Sequence, residues 1–500
     1  MIKKFLGWGL LLSVGWLLNQ SAVNQQKQPN IIFIVADDLG WQDVGFMGSE
    51  WFETPHLDSL ANHSLVFEQA YMYPTCSPSR AALYTGKQSF RTQVYNVPVL
   101  DRGNARNSIF SRWTVEQKHV LFSELLNQVG YKLIHIGKWH IVGPYPSVEQ
   151  KYPFEKKLSQ PKNGDLSWLE AHLNTETRRF YPRERGFHEN IGGTWWGDPA
   201  RGYEKGYASN SGGYRAPFNN PFIEEKKDDQ WLTDRLTDEA LDFMERNSDE
   251  PFFVNLHYYA PHRPTVPRND VLLKKFLTKE PDLLTGQGTE RLEEIAAYAT
   301  MIQSIDDNVQ RILEFLDERN LIENTMIIFT SDNGFNGLQS MNNRLRGAKG
   351  NVYEGGLRVP ALIHWQGRVE PNSTRTPITV LDYFPTFLDI AGLNDYDEII
   401  DGKSIVPLLN GESFEPRSLF WQLSGRYKDP PCSIIRKGDW KLIQFLLDGR
   451  LELYNLEEDL SEKYNKATTN PDKTRELLDE LIAWRKKNRV PLPPDSVLGV

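Results

Sequence analysis

The sequence predicts an α/β protein: a mostly parallel sheet sandwiched by helices, followed by a smaller C-terminal α+β unit carrying an antiparallel sheet. Three observations carry this. Short apolar runs rich in β-branched residues alternate with helical patterns as far as about residue 400. Beyond Asp401 the rhythm changes to closely spaced strand patterns joined by short turns such as Lys437-Gly438-Asp439. With 39 % hydrophobic and 25 % charged residues, a chain of 500 residues has the means to bury a large core.

The elements follow in chain order. Residues 1–22 read as a secretory signal, because Lys3 and Lys4 precede an apolar run over 5–18 that is short for a membrane span. The expectation is a secreted or periplasmic protein with no stable membrane span. The main domain is expected over 29–400, with strands at 31–35, 131–136, 252–258, 326–330 and 359–364. Helices are expected at 117–129, 231–246, 289–319 and 380–391, and Asp306-Asp307 is expected on a solvated helix face. Residues 143–229, rich in Gly, Pro, Tyr, Trp and Arg, form an irregular insertion with little periodicity. The C-terminal unit, 401–500, is expected to hold strands at 432–436, 440–445 and 451–454 and a helix at 472–486.

Charge and cysteine content exclude some classes. Lys and Arg number 57 against 66 Asp and Glu, a net charge of −9, which argues against nucleic acid as a partner. A site for an anion must then be a local basic focus. Two cysteines, Cys76 and Cys432, exclude a disulfide framework, although a single pairing between them stays open.

Several constellations could carry chemistry. Asp37-Asp38 and Asp332-Asn333 each follow an apolar strand pattern, and in a parallel sheet both would face the crevice beyond the strand ends. Carboxylates crowded there need a cation, and oxygen donors favour Ca²⁺ or Mg²⁺ over Zn²⁺. Cys76-Ser77-Pro78-Ser79-Arg80 has Pro78 in a helix first turn and Ser77 able to cap it, which sets Cys76 at a helix amino end with Arg80 one turn on. Lys138 and His140, two apart after a strand, would share a face and could combine anion binding with proton transfer. His262 lies in the proline-stiffened loop Ala260-Pro261-His262-Arg263-Pro264, whereas His257, still in its strand, reads as a packed side chain. Lys349 sits in a glycine-rich loop that permits close approach of backbone to a ligand.

With these residues in view the chain resembles the type I, formylglycine-dependent sulfatases of the alkaline phosphatase superfamily, and bacterial secreted glycan sulfatases among them. Cys76-x-Pro78-Ser79-Arg80 with Thr85-Gly86 is similar to the first signature, and Gly137-Lys138-Trp139-His140 to the second. Asp37-Asp38, Ala260-Pro261-His262, Ser331-Asp332-Asn333-Gly334 and Lys349 to Pro360 follow in the family's order. Leu133 and Tyr84 depart from the usual side chains at their positions without touching a catalytic one.

The resemblance implies an alkaline-phosphatase-like fold and a sulfatase catalytic domain over 29–400. It implies conversion of Cys76 to 3-oxoalanine (formylglycine) by a formylglycine-generating or anaerobic maturation enzyme. Ca²⁺, or Mg²⁺, would be held by Asp37, Asp38, Asp332, Asn333 and modified residue 76. Lys138 and Lys349 would neutralise the sulfate oxygens, His262 would protonate the leaving alcohol, His140 would take a proton from residue 76, and Arg80 would steady that residue. The expected substrate is a sulfated carbohydrate, with Trp195, Trp196, Arg201, Tyr203 and Arg215 of the insertion as its binding residues. Two alternatives stay open: a phosphate or phosphonate monoester hydrolase of the same superfamily, and a non-catalytic glycan-binding relic.

Overall fold

The strand Asn30–Ala36, with sequence NIIFIVA, is buried at every position, as a strand covered on both faces must be. In the computed structural model, which describes residues 28–97, 106–148, 161, 165–199, 213–279, 288–337, 344–425 and 427–498, it lies inside an eight-stranded sheet. The spatial order is Asn372–Thr374, Leu65–Phe67, Ala361–His364, Thr325–Ser331, Asn30–Ala36, Phe252–His257, Lys132–Gly137 and Glu189–Ile191. Pairing is parallel except at Ala361–His364, which runs antiparallel to both neighbours. Pro360 divides the strand expected at 359–364: Arg358–Val359 instead joins Ala70–Tyr71 and Ile378–Thr379 in a separate three-stranded sheet.

The alternation of a pleated strand builds two cores from one segment. Ile31, Phe33 and Val35 point to a core with Tyr84, Phe122, Phe384 and Phe387, from the helices Cys76–Thr85, Phe122–Gln128 and Tyr383–Ile390. Ile32, Ile34 and Ala36 point the other way, onto Leu236, Phe243, Ile302 and Ile305 of Leu232–Arg246 and Thr289–Glu318. Part of the expected irregular insertion is ordered into this scheme: Leu166–His172 is helical, and Glu189–Ile191 is an edge strand of the main sheet. Among the described residues no helix is long and apolar enough to cross a membrane. The expected signal segment lies outside them.

Asp306 departs from expectation. It is fully buried rather than solvated, and its carboxylate accepts from the backbone N–H groups of His56 (3.2 Å) and Leu57 (2.7 Å), at the start of Pro55–Ala61. A helix-face pattern does not show that another helix will butt against the residue. Burial pushes its carboxyl up to about 6, although those two N–H groups favour the anion. A carboxyl raised in the folded state binds its proton more tightly than in the unfolded chain, so its contribution is complete below the unfolded value and falls away as pH rises to about 6. Asp306→Asn is expected to flatten this dependence, shifting relative stability by about 2 kcal/mol between pH 4 and 7, as read by urea unfolding.

The C-terminal strands Leu419–Leu423, Cys432–Lys437, Trp440–Phe445 and Leu451–Asn455 form an antiparallel sheet in that order. One face gives Trp421, Cys432, Ile434 and Ile443 to the main core, and the other packs Ile435, Leu442 and Leu453 on Leu477 and Leu481 of the helix Pro471–Asn488. Cys432 and Cys76 are both buried and unpaired. A buried ionic knot ties this sheet to the body: Lys441 Nζ lies 3.0 Å from Glu354 and 2.9 Å from Glu462. Tyr71 donates to Glu354 at 2.8 Å.

Candidate active site

Asn30–Ala36 and Thr325–Ser331 pair in parallel register to their last residues, so Asp37-Asp38 and Asp332-Asn333 leave the sheet side by side. The Asp332 N–H donates to the Ala36 carbonyl (3.1 Å), and the Asp38 N–H to Asp332 Oδ1 (3.3 Å). Phe252–His257 ends on the other flank, where the Asp37 N–H donates to the Ala260 carbonyl (3.1 Å) and places the His262 loop next to the carboxylates. Beyond it, Lys132–Gly137 delivers Lys138.

Gly137 has φ +91°, and a Cβ there would lie 1.9 Å from the His257 carbonyl oxygen. Only glycine fits both demands. Gly137→Ala is expected to cost about 3 kcal/mol in urea unfolding and to displace Lys138, lowering turnover as well.

Cys76 opens the helix Cys76–Thr85, with Thr75 as the extended residue before it. Ser77 is not the cap that the sequence suggests: inside the helix, its hydroxyl donates to the His140 carbonyl (2.9 Å), fastening the Lys138–His140 segment to the helix start. The charged groups then interlock. Lys138 Nζ is 2.6 Å from Asp37 Oδ2, and Lys349 Nζ is 2.6 Å from Asp38 Oδ1 and 3.1 Å from Cys76 Sγ. Cys76 Sγ lies 3.8 Å from Asp37 Oδ1, and His262 Nε2 lies 3.6 Å from Asp38 Oδ2. Arg80 does not reach back to residue 76. Its Nε bonds Asp332 Oδ2 (2.9 Å), and its Nη1 meets the Lys138 carbonyl (2.6 Å) and His257 Nδ1 (2.8 Å). Three carboxylates thus face three cations, all buried, an arrangement that pairing makes tolerable.

Burial raises the Asp37 carboxyl well above the usual carboxylate range, with Asp332 adding to it and Lys138 opposing. Burial also acts on Asp38, yet Lys349, His262 and Lys138 together hold it below that range. Lys138 and Lys349 stay protonated despite burial because Asp37 and Asp38 respectively lie against them. Burial pushes the Cys76 thiol up to about 12, and the two lysines recover only part of this. Burial likewise holds His140 and His262 neutral, aided at His140 by Lys138 and Arg80 and opposed at His262 by Asp38.

Two buried oxygens, Asp38 Oδ2 and Asn333 Oδ1, have no hydrogen-bond partner. Asn333 Nδ2 donates to Asp38 Oδ1 (2.7 Å), which keeps the amide at the same point. Ligand atoms of Asp37, Asp38, Cys76 and His262 all lie within 4.8 Å of one another. Orphaned oxygens beside clustered carboxylates fit a divalent cation that prefers oxygen.

Nine of the expected residues, Asp37, Asp38, Cys76, Arg80, Lys138, His262, Asp332, Asn333 and Lys349, therefore meet in one pocket. His140 is buried close by, with φ +55° and its imidazole against Gly197. The expected carbohydrate-binding residues do not gather there as free surface. Trp195 and Trp196 are 2 % and 0 % exposed within the main core, so neither ring can stack on a sugar. Arg215 bonds Asp229 and the Arg268 carbonyl and lies over the Trp231 ring, which engages its guanidinium within the protein. Arg201 and Tyr203 lie outside the described residues. His257 is more than a packed side chain, since it holds Arg80; its place as the last residue of the strand was the available clue.

The profile of the sulfatase family matches residues 29–393, and the C-terminal profile of N-sulphoglucosamine sulphohydrolase matches 348–487. A sulfatase of Formosa agariphila is 31 % identical over 98 % of this chain and 94 % of its own. N-acetylgalactosamine-6-sulfatase of Canis lupus familiaris is 30 % identical over 87 % of this chain and 75 % of its own. The crystal structure of Ps i-CgsB in complex with k-i-k-neocarrahexaose superposes with a TM-score of 0.70 at 28 % identity, covering 94 % of each chain. Strand-end carboxylates, a cysteine at a helix start and two buried lysines are thus set in a frame that these proteins share along nearly its whole length, and the chain belongs to the sulfatase family, as a sulfuric ester hydrolase.

Proposed function

We propose that this pocket hydrolyses a sulfate ester on a sulfated carbohydrate outside the cytoplasm, with Cys76 converted to 3-oxoalanine by a formylglycine-generating or anaerobic maturation enzyme. Ca²⁺, or Mg²⁺, would be held by Asp37, Asp38, Asp332, Asn333 and residue 76. The observation that carries this reading is the convergence of two orphaned oxygens, three carboxylates and two lysines on the first residue of one helix. Burial raises the unmodified thiol and so disfavours a thiolate nucleophile, which supports an oxidised side chain there. The carbohydrate class is supported by relatives named for N-acetylgalactosamine 6-sulfate and by a neighbour solved with a carrageenan oligosaccharide.

When present, the ion and the oxidised side chain supply an acidified hydroxyl as nucleophile towards sulfur. The chain's own groups do the rest. Lys349, 3.1 Å from Cys76 Sγ, and Lys138, 2.6 Å from Asp37, neutralise the sulfate oxygens as the S–O bond to the alcohol breaks. His262 Nε2 stands by Asp38 to give the departing alcohol oxygen its proton; the anionic substrate supplies negative charge that favours the protonated ring. His140, fastened through its carbonyl to Ser77, takes a proton from residue 76. Arg80 keeps Asp332 in place.

The test compares aryl sulfate with aryl phosphate on protein co-expressed with the maturation enzyme, alongside the intact mass of the Cys76 peptide. Sulfate turnover with an aldehyde mass is expected. Preferential phosphate turnover would assign a phosphomonoesterase, and a retained thiol without hydrolysis a binding protein.

A further inference from the structure

The loop between Leu419–Leu423 and Cys432–Lys437 leaves the small sheet and returns onto the pocket. Asp429 Oδ2 accepts from Asn351 Nδ2 (3.0 Å) and from the Val352 N–H (2.8 Å), residues that closely follow Lys349. Gly350 donates its N–H to the Pro74 carbonyl (2.6 Å), so the Lys349 segment is held between this loop and the residues leading into Cys76. Tyr427 lies directly on Gly350: a Cβ at that glycine, whose φ is +88°, would fall 2.1 Å from Tyr427 Cδ1. A crevice lined by Thr75, Gly350, Tyr427 and Lys428 opens at this point, next to residue 76.

Two chemical handles stand there. Tyr427 keeps 38 % of its surface exposed, enough to offer ring surface to a ligand. Lys428 places its ammonium 5.8 Å from the centre of that ring. The cations deeper in the pocket each face a carboxylate, but Lys428 forms no ion pair among the described residues, and the adjacent Asp429 is engaged by Asn351 and Val352. Partial burial and Lys349 lower the Lys428 ammonium, with Asp429 and Asp38 opposing, which marks it as sharing the field of the catalytic pocket.

We propose that Tyr427 and Lys428 read the part of the substrate beyond the scissile sulfate, with a sugar ring against Tyr427 and a second anionic substituent, a carboxylate or another sulfate, against Lys428. This rests on the sulfate-ester reading above and names the substrate class more narrowly: a saccharide carrying two anionic groups.

The test is calorimetric titration of the calcium-loaded full-length Cys76→Ala protein with matched saccharides. The pairs are κ- and ι-neocarrabiose, with one and two sulfates, and N-acetylgalactosamine 6-sulfate alone and linked to a uronate. The doubly anionic member of at least one pair is expected to bind about tenfold tighter. Lys428→Gln is expected to remove that preference, Lys428→Glu to reverse it, and Tyr427→Ala to weaken both members. No preference in any pair, or a preference that survives Lys428→Gln, overturns the proposal. Aryl sulfate turnover by the parent enzyme is measured in parallel, and its absence there counts against the sulfate-ester reading, separately from the titrations.

Discussion

Replacing Cys76 by alanine is expected to lower kcat for an aryl sulfate by about four orders of magnitude or more, with the unfolding midpoint nearly unchanged. The asymmetry follows from what the side chain touches. Its sulfur accepts one hydrogen bond, from Lys349, and lies 3.8 Å from Asp37, while the helix it opens is held by Ser77, Ser79 and Arg80. The packing loss is small, whereas the side chain proposed to carry the attacking hydroxyl, beside Lys349, is gone. A variant retaining full turnover would overturn the mechanism, whatever its stability.

The largest stability effect is expected from Lys441→Met. Lys441, Glu354 and Glu462 are 1 %, 0 % and 0 % exposed, so removing the cation leaves Glu354 with Arg358 at 3.5 Å and takes from Glu462 its ammonium, with no water to replace it. The expected cost is about 3–5 kcal/mol by urea unfolding at pH 8. Burial already raises Glu462 to about 7, with Lys441 opposing and Glu354 adding to it. Without Lys441 the Glu462 carboxyl rises further in the folded state, while Glu354, held below the usual range against its burial by Lys441, Arg358 and Arg436, loses the first of these, and the native protein then binds protons that the unfolded chain releases. Stability of the variant therefore falls as pH rises above the ordinary glutamate range, and the deficit at pH 5 is expected to be smaller than at pH 8. Equal deficits at the two pH values would contradict this account. Adding Glu462→Gln to the variant is expected to recover part of the loss.

The elements legible in the sequence were those whose signal is local. Asn30–Ala36, Phe252–His257 and Thr325–Ser331 are apolar runs with polar exits, and such an exit from a parallel sheet places its side chains with little freedom. Asp37, Asp38, Asp332 and Asn333 could be grouped for that reason. What the sequence hid depends on packing partners. Trp195 and Trp196 lie in a stretch whose aromatic composition is the same whether its rings line a cleft or fill a core, and here they fill a core. Arg80 is one turn from Cys76, but the shorter path to a carboxylate led it to Asp332. Asp306 reads as helix surface until Pro55–Ala61 is set end-on against it. Tyr427 and Lys428 belong to a loop without a motif, and only the return of that loop onto Gly350 gives them a place near residue 76.

The proposed conversion of Cys76, set against the depth of that residue, would impose an order of events on the making of the protein. At 1 % exposure, with Lys349 against its sulfur, it is closed to any other macromolecule once Lys349 has docked. During synthesis, however, Cys76 leaves the ribosome well before Asp332, Asn333 and Lys349 exist. The proposed modifying enzyme would have to act in that interval, and a chain that folded first would be sealed with its thiol intact. Unfolding and refolding such a chain in the presence of the modifying enzyme would reopen the interval.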